Sequence, residues 1–184
     1  MKTFAFIALF FVSVCILAQE NARTISYSNI TETGFMSMNL RGVAVELTTI
    51  HGFAIDNKHH LGFGFGIGSN SHKPDNDYYS YLSGYIPVFI NYRLYFKPEQ
   101  TRSPLLNASL GGVNMKNGGG FYSSFTGGYK IGDFSFSSGI SFMAISQKPS
   151  SNHYYIYPNS PQLIPTNSKW VFPFGIAIKF GYVF

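Results

Sequence analysis

Five histidines, His51, His59, His60, His72 and His153, are the side chains of this chain best suited to metal ligation or general-base chemistry. His59 and His60 are adjacent, and neighbours on an extended strand point to opposite faces, so the pair does not close on one metal ion. A solvated turn end is the expected place for them. A hydrolytic site would need a nucleophile, a base and an acid held together. His51 sits in an alternating segment, and His72 and His153 lie among serines in long connections, but no strand spacing gathers the three roles. Catalysis is therefore not expected, nor is a bound cofactor or metal. Gly62, Gly64, Gly66 and Gly68 alternate strictly and lack the helix start of a phosphate-binding loop, and Gly118-Gly119-Gly120 reads as a turn.

Three charged residues raise a different chemistry. Glu46, Arg93 and Lys179 fall on the same kind of position in three separate segments, the side opposite the bulky residues. If those sides meet in an enclosed space, the three form either a gated polar path or a salt-bridged plug. The plug is the expectation, because an unpaired ion in a narrow interior is costly. Tyr78, Tyr79, Tyr81 and Tyr85, with Tyr154, Tyr155 and Tyr157, could bind an external partner, but an aromatic girdle at a membrane interface is the preferred reading.

The elements that must position these residues are strands. From Tyr27 onward apolar residues recur with period two, interrupted by clusters of Gly, Pro, Asn, Asp and Ser. The C-terminus is the clearest case: Phe172, Phe174, Ile176, Ile178, Phe180, Tyr182 and Phe184 share one face, and the other is mostly small with Lys179. In the same way Leu61, Phe63, Phe65 and Ile67 alternate with glycines, and Ile86, Val88, Ile90 and Tyr92 with Pro87, Phe89, Asn91 and Arg93. A soluble sandwich would carry a richly polar opposite face. Small residues inside and bulky ones outside fit a closed barrel whose outer solvent is lipid. Strands are predicted near 27–39, 43–55, 60–69, 84–96, 104–115, 119–131, 134–146 and 169–184, an even number with an up-and-down antiparallel order. Turns at Asp56-Asn57-Lys58, Lys97 to Ser103 and Gly132-Asp133, two of them very short, fall at one end. The two longest connections, 70–83 and 147–168, fall at the other.

An aromatic share of 18% with only 11% charged residues is unusual for a water-soluble domain. Lys2, the apolar stretch Phe4 to Leu17 and the small Ala18 form a secretory signal peptide, so 1–18 is expected to leave and 19–184 to form one barrel domain. Cys15, the single cysteine, reads less well as a lipid-attachment site because Val14 before it is bulky, and cleavage after Ala18 would remove it. The net charge of +5 comes from basic residues scattered singly, so no nucleic-acid surface is expected.

Together these residues resemble the small porin-like outer-membrane β-barrel proteins of Gram-negative bacteria, over essentially the whole chain after residue 18. Ile178, Phe180, Tyr182 and the terminal Phe184 are similar to the signal that the barrel-assembly machinery reads in that family. The resemblance implies an outer-membrane location with both termini periplasmic, a lipid surround, and loops 70–83 and 147–168 facing outward toward any external ligand. The expected role is structural or a surface interaction. A narrow pore or transporter for small solutes is the first alternative and a lipid-modifying outer-membrane enzyme the second. A secreted soluble sandwich would require the bulky faces to pair into a core.

Overall fold

A computed structural model describes residues 24–38, 42–72, 81–116, 118–147 and 169–184. The signal segment 1–18, with Cys15, lies outside them, as do Tyr78, Tyr79, His153, Tyr154, Tyr155 and Tyr157. The described residues contain strands and turns only: β1 (Ile25–Met38), β2 (Gly42–Ile55), β3 (His59–His72), β4 (Tyr81–Tyr95), β5 (Arg102–Met115), β6 (Gly118–Ile131), β7 (Phe134–Gln147), β8 (Lys169–Val171) and β9 (Phe174–Val183).

Every neighbour is antiparallel, and the sheet closes because β9 pairs with both β7 and β1. β8 pairs with the outer end of β7, so β8 and β9 are two parts of an eighth barrel strand. The sequence predicts that strand unbroken over 169–184. It is interrupted at Phe172-Pro173, where the proline has no N–H for the ladder. Its carbonyl still accepts from Met143 N at 2.8 Å. β3 and β4 also run several residues further toward the long connection than the alternation predicts.

Following the register from Ile25 through Ile55, His59, Leu94, Leu106, Gly127, Ser138 and Ile178 returns to β1 at Phe35, ten residues along. Eight strands with that stagger tilt by about 40° and leave an interior just wide enough for side chains to fill. The closed wall overturns the two-layer sandwich: the bulky alternate residues face outward, with Phe63 52%, Ile67 64% and Ile176 65% exposed.

The short turns explain themselves chemically. Asp56 and Asn57 have φ of 53° and 52°, a left-handed pair at the centre of the three-residue connection that Lys58 N closes onto Ile55 O at 3.0 Å. Gly132 supplies the one positive φ, 57°, in the turn between β6 and β7. Two glycines are needed for a close approach. A Cβ on Gly64 would collide with the Phe89 ring, and one on Gly68 with the Tyr85 ring, so both aromatics pack flat against a bare stretch of β3.

Candidate functional site

The lumen gathers side chains that the sequence scatters. Because the strands alternate, Glu32 of β1, Glu46 of β2, His60 of β3, Asn91 and Arg93 of β4, Asn107 of β5, Tyr122 of β6 and Lys179 of β9 all point inward and are buried. Arg93 and Lys179 are 1% and 2% exposed, which no isolated cation tolerates.

Two connected networks satisfy them. Nearer the short turns, Arg93 Nη2 lies 2.7 Å from Glu32 Oε1, a close ion pair whose N–H is not aligned for a full hydrogen bond. Arg93 Nε donates to Asn91 Oδ1 at 3.3 Å. Asn91 Nδ2 in turn donates to Asn107 Oδ1 at 2.6 Å and Ser109 Oγ at 3.0 Å, and Asn107 Nδ2 to Thr126 Oγ1 at 3.4 Å. The chain of polar groups therefore runs across three neighbouring strands.

The second network is centred on Glu46. Lys179 Nζ sits 3.1 Å from Glu46 Oε1 and donates to Tyr122 Oη at 3.1 Å. Tyr122 Oη donates to Glu46 Oε1 at 3.2 Å and Tyr85 Oη to Glu46 Oε2 at 3.4 Å, so one carboxylate holds an ammonium and two phenols. Gly34, directly opposite Glu46 in the register, makes room: a Cβ there would lie 2.8 Å from Glu46 Cγ. The Tyr122 ring packs on Phe89 with centroids 5.5 Å apart.

Toward the long connections the lumen turns apolar. Met36, Ala44, Val113, Met115, Met143 and Ile145 are all buried there, each within four residues of its strand's outer end. Two carboxylates thus face two cations below an apolar layer, an arrangement that cancels charge and fills space.

Glu46, Arg93 and Lys179 all lie in the lumen, shared between two ion pairs. Arg93 pairs with Glu32, a residue the sequence reading did not select, and Glu46 pairs with Lys179. Charge balance was the available signal: one acid cannot neutralise two enclosed cations. Two further expectations need correction. Tyr85 is not part of a girdle, because the parity of β4 turns it inward to Glu46. The side chain of Tyr81 lies outside the described residues, and so does that of His72.

His60 is not at a solvated turn end either. It is 1% exposed, and both ring nitrogens lack a side-chain hydrogen-bond partner. His59 faces the other way, its Nδ1 2.8 Å from Tyr92 Oη. An outward ring of tyrosines does occur, at the short-turn end: Tyr27, Tyr92, Tyr129 and, partly covered, Tyr182. Ile178 and Phe180 lie on the outer wall, Tyr182 packs edge-on to Phe134 and Phe184, and Phe184 is exposed. Among the described residues no three His, Cys, Asp or Glu side chains gather as a metal site. No family model matches the chain, and no curated protein matches it.

Proposed function

We propose that this chain is an outer-membrane β-barrel of the small porin-like kind, a sealed cylinder with a structural or surface-interaction role and no catalysis of its own. The observation that carries the reading is the pairing of an apolar outer wall with a filled, charge-balanced interior. Thirty-odd exposed bulky side chains around a closed wall would be a severe liability in water, and in a bilayer they meet their own kind of solvent. Closure removes the sheet edges whose N–H and C=O groups would go unsatisfied in lipid. A strand of 14 residues tilted by about 40° rises about 35 Å, enough for the ~25 Å apolar band of such barrels.

In this reading the segment 1–18 directs export, and Ile178, Phe180, Tyr182 and Phe184 address the chain to the barrel-assembly machinery. Both termini and the short turns face the periplasm. The connections 70–83 and 147–168 face outward and carry whatever external contact the protein makes; most of both lies outside the described residues. The sealed lumen favours a plug over a pore, since both ion pairs and the apolar layer above them would have to part for a solute to pass.

Fractionation tests the reading. The chain should sediment with outer membranes, require detergent for extraction, and run faster on gels before heating than after. In planar bilayers it should give no steady conductance. Recovery in a soluble fraction would sink the membrane assignment, and a stable open channel would sink the plug.

A further inference from the structure

The outer wall is apolar or small on most strands, but the outward face of β1 is not. It carries Asn29, Thr31 and Thr33 above Tyr27, and the adjoining positions of β2 are Thr49 and His51. In the register Asn29 stands opposite His51 and Thr31 opposite Thr49, so the five form one patch. The patch is ordered from within. Tyr27 Oη lies 2.6 Å from His51 Nδ1, and Thr49 Oγ1 is 3.3 Å from His51 Nε2 and donates to Asn29 Oδ1 at 3.1 Å. His51 stacks on Phe65 with centroids 5.9 Å apart.

These internal bonds leave a defined surplus. The Asn29 amide N–H groups and the Thr31 hydroxyl have no hydrogen-bond partner among the described residues. Both are donors on a wall that acyl chains alone cannot satisfy. Whatever covers them must bring acceptors into the membrane, just inside the tyrosine level. In a bilayer the groups with that chemistry at that depth are the ester carbonyls of a glycerolipid.

The wall above has the matching length. From Asn29 to Phe35 the strand rises about 15 Å, half the ~30 Å hydrocarbon thickness, and Val45, Leu47 and Phe35 line that stretch as exposed apolar groups. Resting on the membrane reading given above, we infer that the outer face of β1 and β2 is a binding site for one ester-linked glycerophospholipid. Asn29 and Thr31 donate to its carbonyl oxygens, the Tyr27–His51 pair borders its glycerol region, and an acyl chain runs along Leu47, Val45 and Phe35.

Native mass spectrometry of the full refolded barrel, released from detergent with dioleoyl phosphatidylethanolamine or its diether analogue, tests the site. The wild type should retain the ester lipid about tenfold more strongly than the diether, the effect of two hydrogen bonds. An Asn29→Leu/Thr31→Val variant should lose that preference while keeping its heat-dependent gel mobility. Equal retention of the two lipids by the wild type, or an undiminished preference in the variant, overturns the site. Thr31→Val alone, with an expected loss of about threefold, serves if the double variant fails to fold. A wild-type chain that shows no heat-dependent mobility and stays soluble without detergent would instead bring down the membrane reading, and the site with it.

Discussion

The two halves of the lumen are built from the same eight strands and solve opposite problems. Nearer the short turns, Arg93, Glu32, Asn91 and Asn107 are fully enclosed polar groups, and the centre adds Lys179 and Glu46. Nearer the long connections Met36, Met115, Met143 and Ile145 fill the same cross-section with apolar volume. The polar half gains specificity from hydrogen bonds and is vulnerable to the loss of any one partner. The apolar half excludes water and is vulnerable only to loss of volume. A wet path through the barrel would have to cross both, and the difference locates two independent seals.

The contrast breaks most sharply at the Arg93–Glu32 pair. Glu32→Leu leaves the Arg93 guanidinium, 1% exposed, without its carboxylate partner, and should destabilise the barrel by about 3–5 kcal/mol. Glu32→Leu/Arg93→Met together should cost far less, because no charge is then left bare. Urea unfolding in lipid vesicles, followed by Trp170 fluorescence, gives the cycle; equal losses in the single and double variants would mean the pair is not a unit.

In the apolar half the corresponding change is Met143→Ala. Met143 is 0% exposed, and its truncation should cost about 2–4 kcal/mol through the cavity alone. No partner substitution should rescue it the way Arg93→Met rescues Glu32→Leu. Met143→Ser should likewise leave planar bilayers silent, because the polar half still blocks the path; ions passing in that variant would place the seal in the apolar layer alone. Conduction that appears only when Arg93 is replaced would assign the seal to the polar half.

At the boundary between the halves, Tyr85 reaches Glu46 across bare β3 backbone. Gly68→Ala puts a methyl group into the Tyr85 ring and should cost about 1–3 kcal/mol. Gly84→Ala is the control: the nearest atom to its Cβ is Gly68 O at 3.9 Å, so it should change stability by less than about 0.5 kcal/mol. Equal effects in thermal unfolding would show that Tyr85 moves freely and is not held by the backbone behind it.

Parity made much of this legible in the sequence. Once Leu61 and Phe63 are assigned to the outside, His60 must be inside; once Ile86 and Val88 are outside, so must Tyr85 be inside. Hydropathy nevertheless assigns both to the surface, since an amphipathic side chain near a turn carries no signal of its own. Glu32 was harder to see. Asn29, Thr31 and Thr33 remove the bulky outer face that would have fixed the parity of β1, and only the register with β2 puts Glu32 in the lumen. The pairing of Arg93 with Glu32 and of Lys179 with Glu46 depends on the ten-residue stagger, a property of closure that no single strand encodes.

The smallest effect sharpens the comparison inside the polar half itself. Thr126 and Thr48 are both buried, but Thr126 Oγ1 accepts from Asn107 Nδ2 at 3.4 Å, whereas Thr48 Oγ1 has no partner among the described residues. The same Thr→Val substitution should therefore act with opposite sign. At 126 it strands an amide N–H of a buried network and should cost about 1 kcal/mol; at 48 it removes an unsatisfied hydroxyl at constant shape and should stabilise by up to about 1 kcal/mol. Paired urea titrations decide it. If Thr48→Val is as destabilising as Thr126→Val, the hydroxyl at 48 is satisfied in solution. The polar half would then extend one layer further round the wall than its hydrogen bonds indicate.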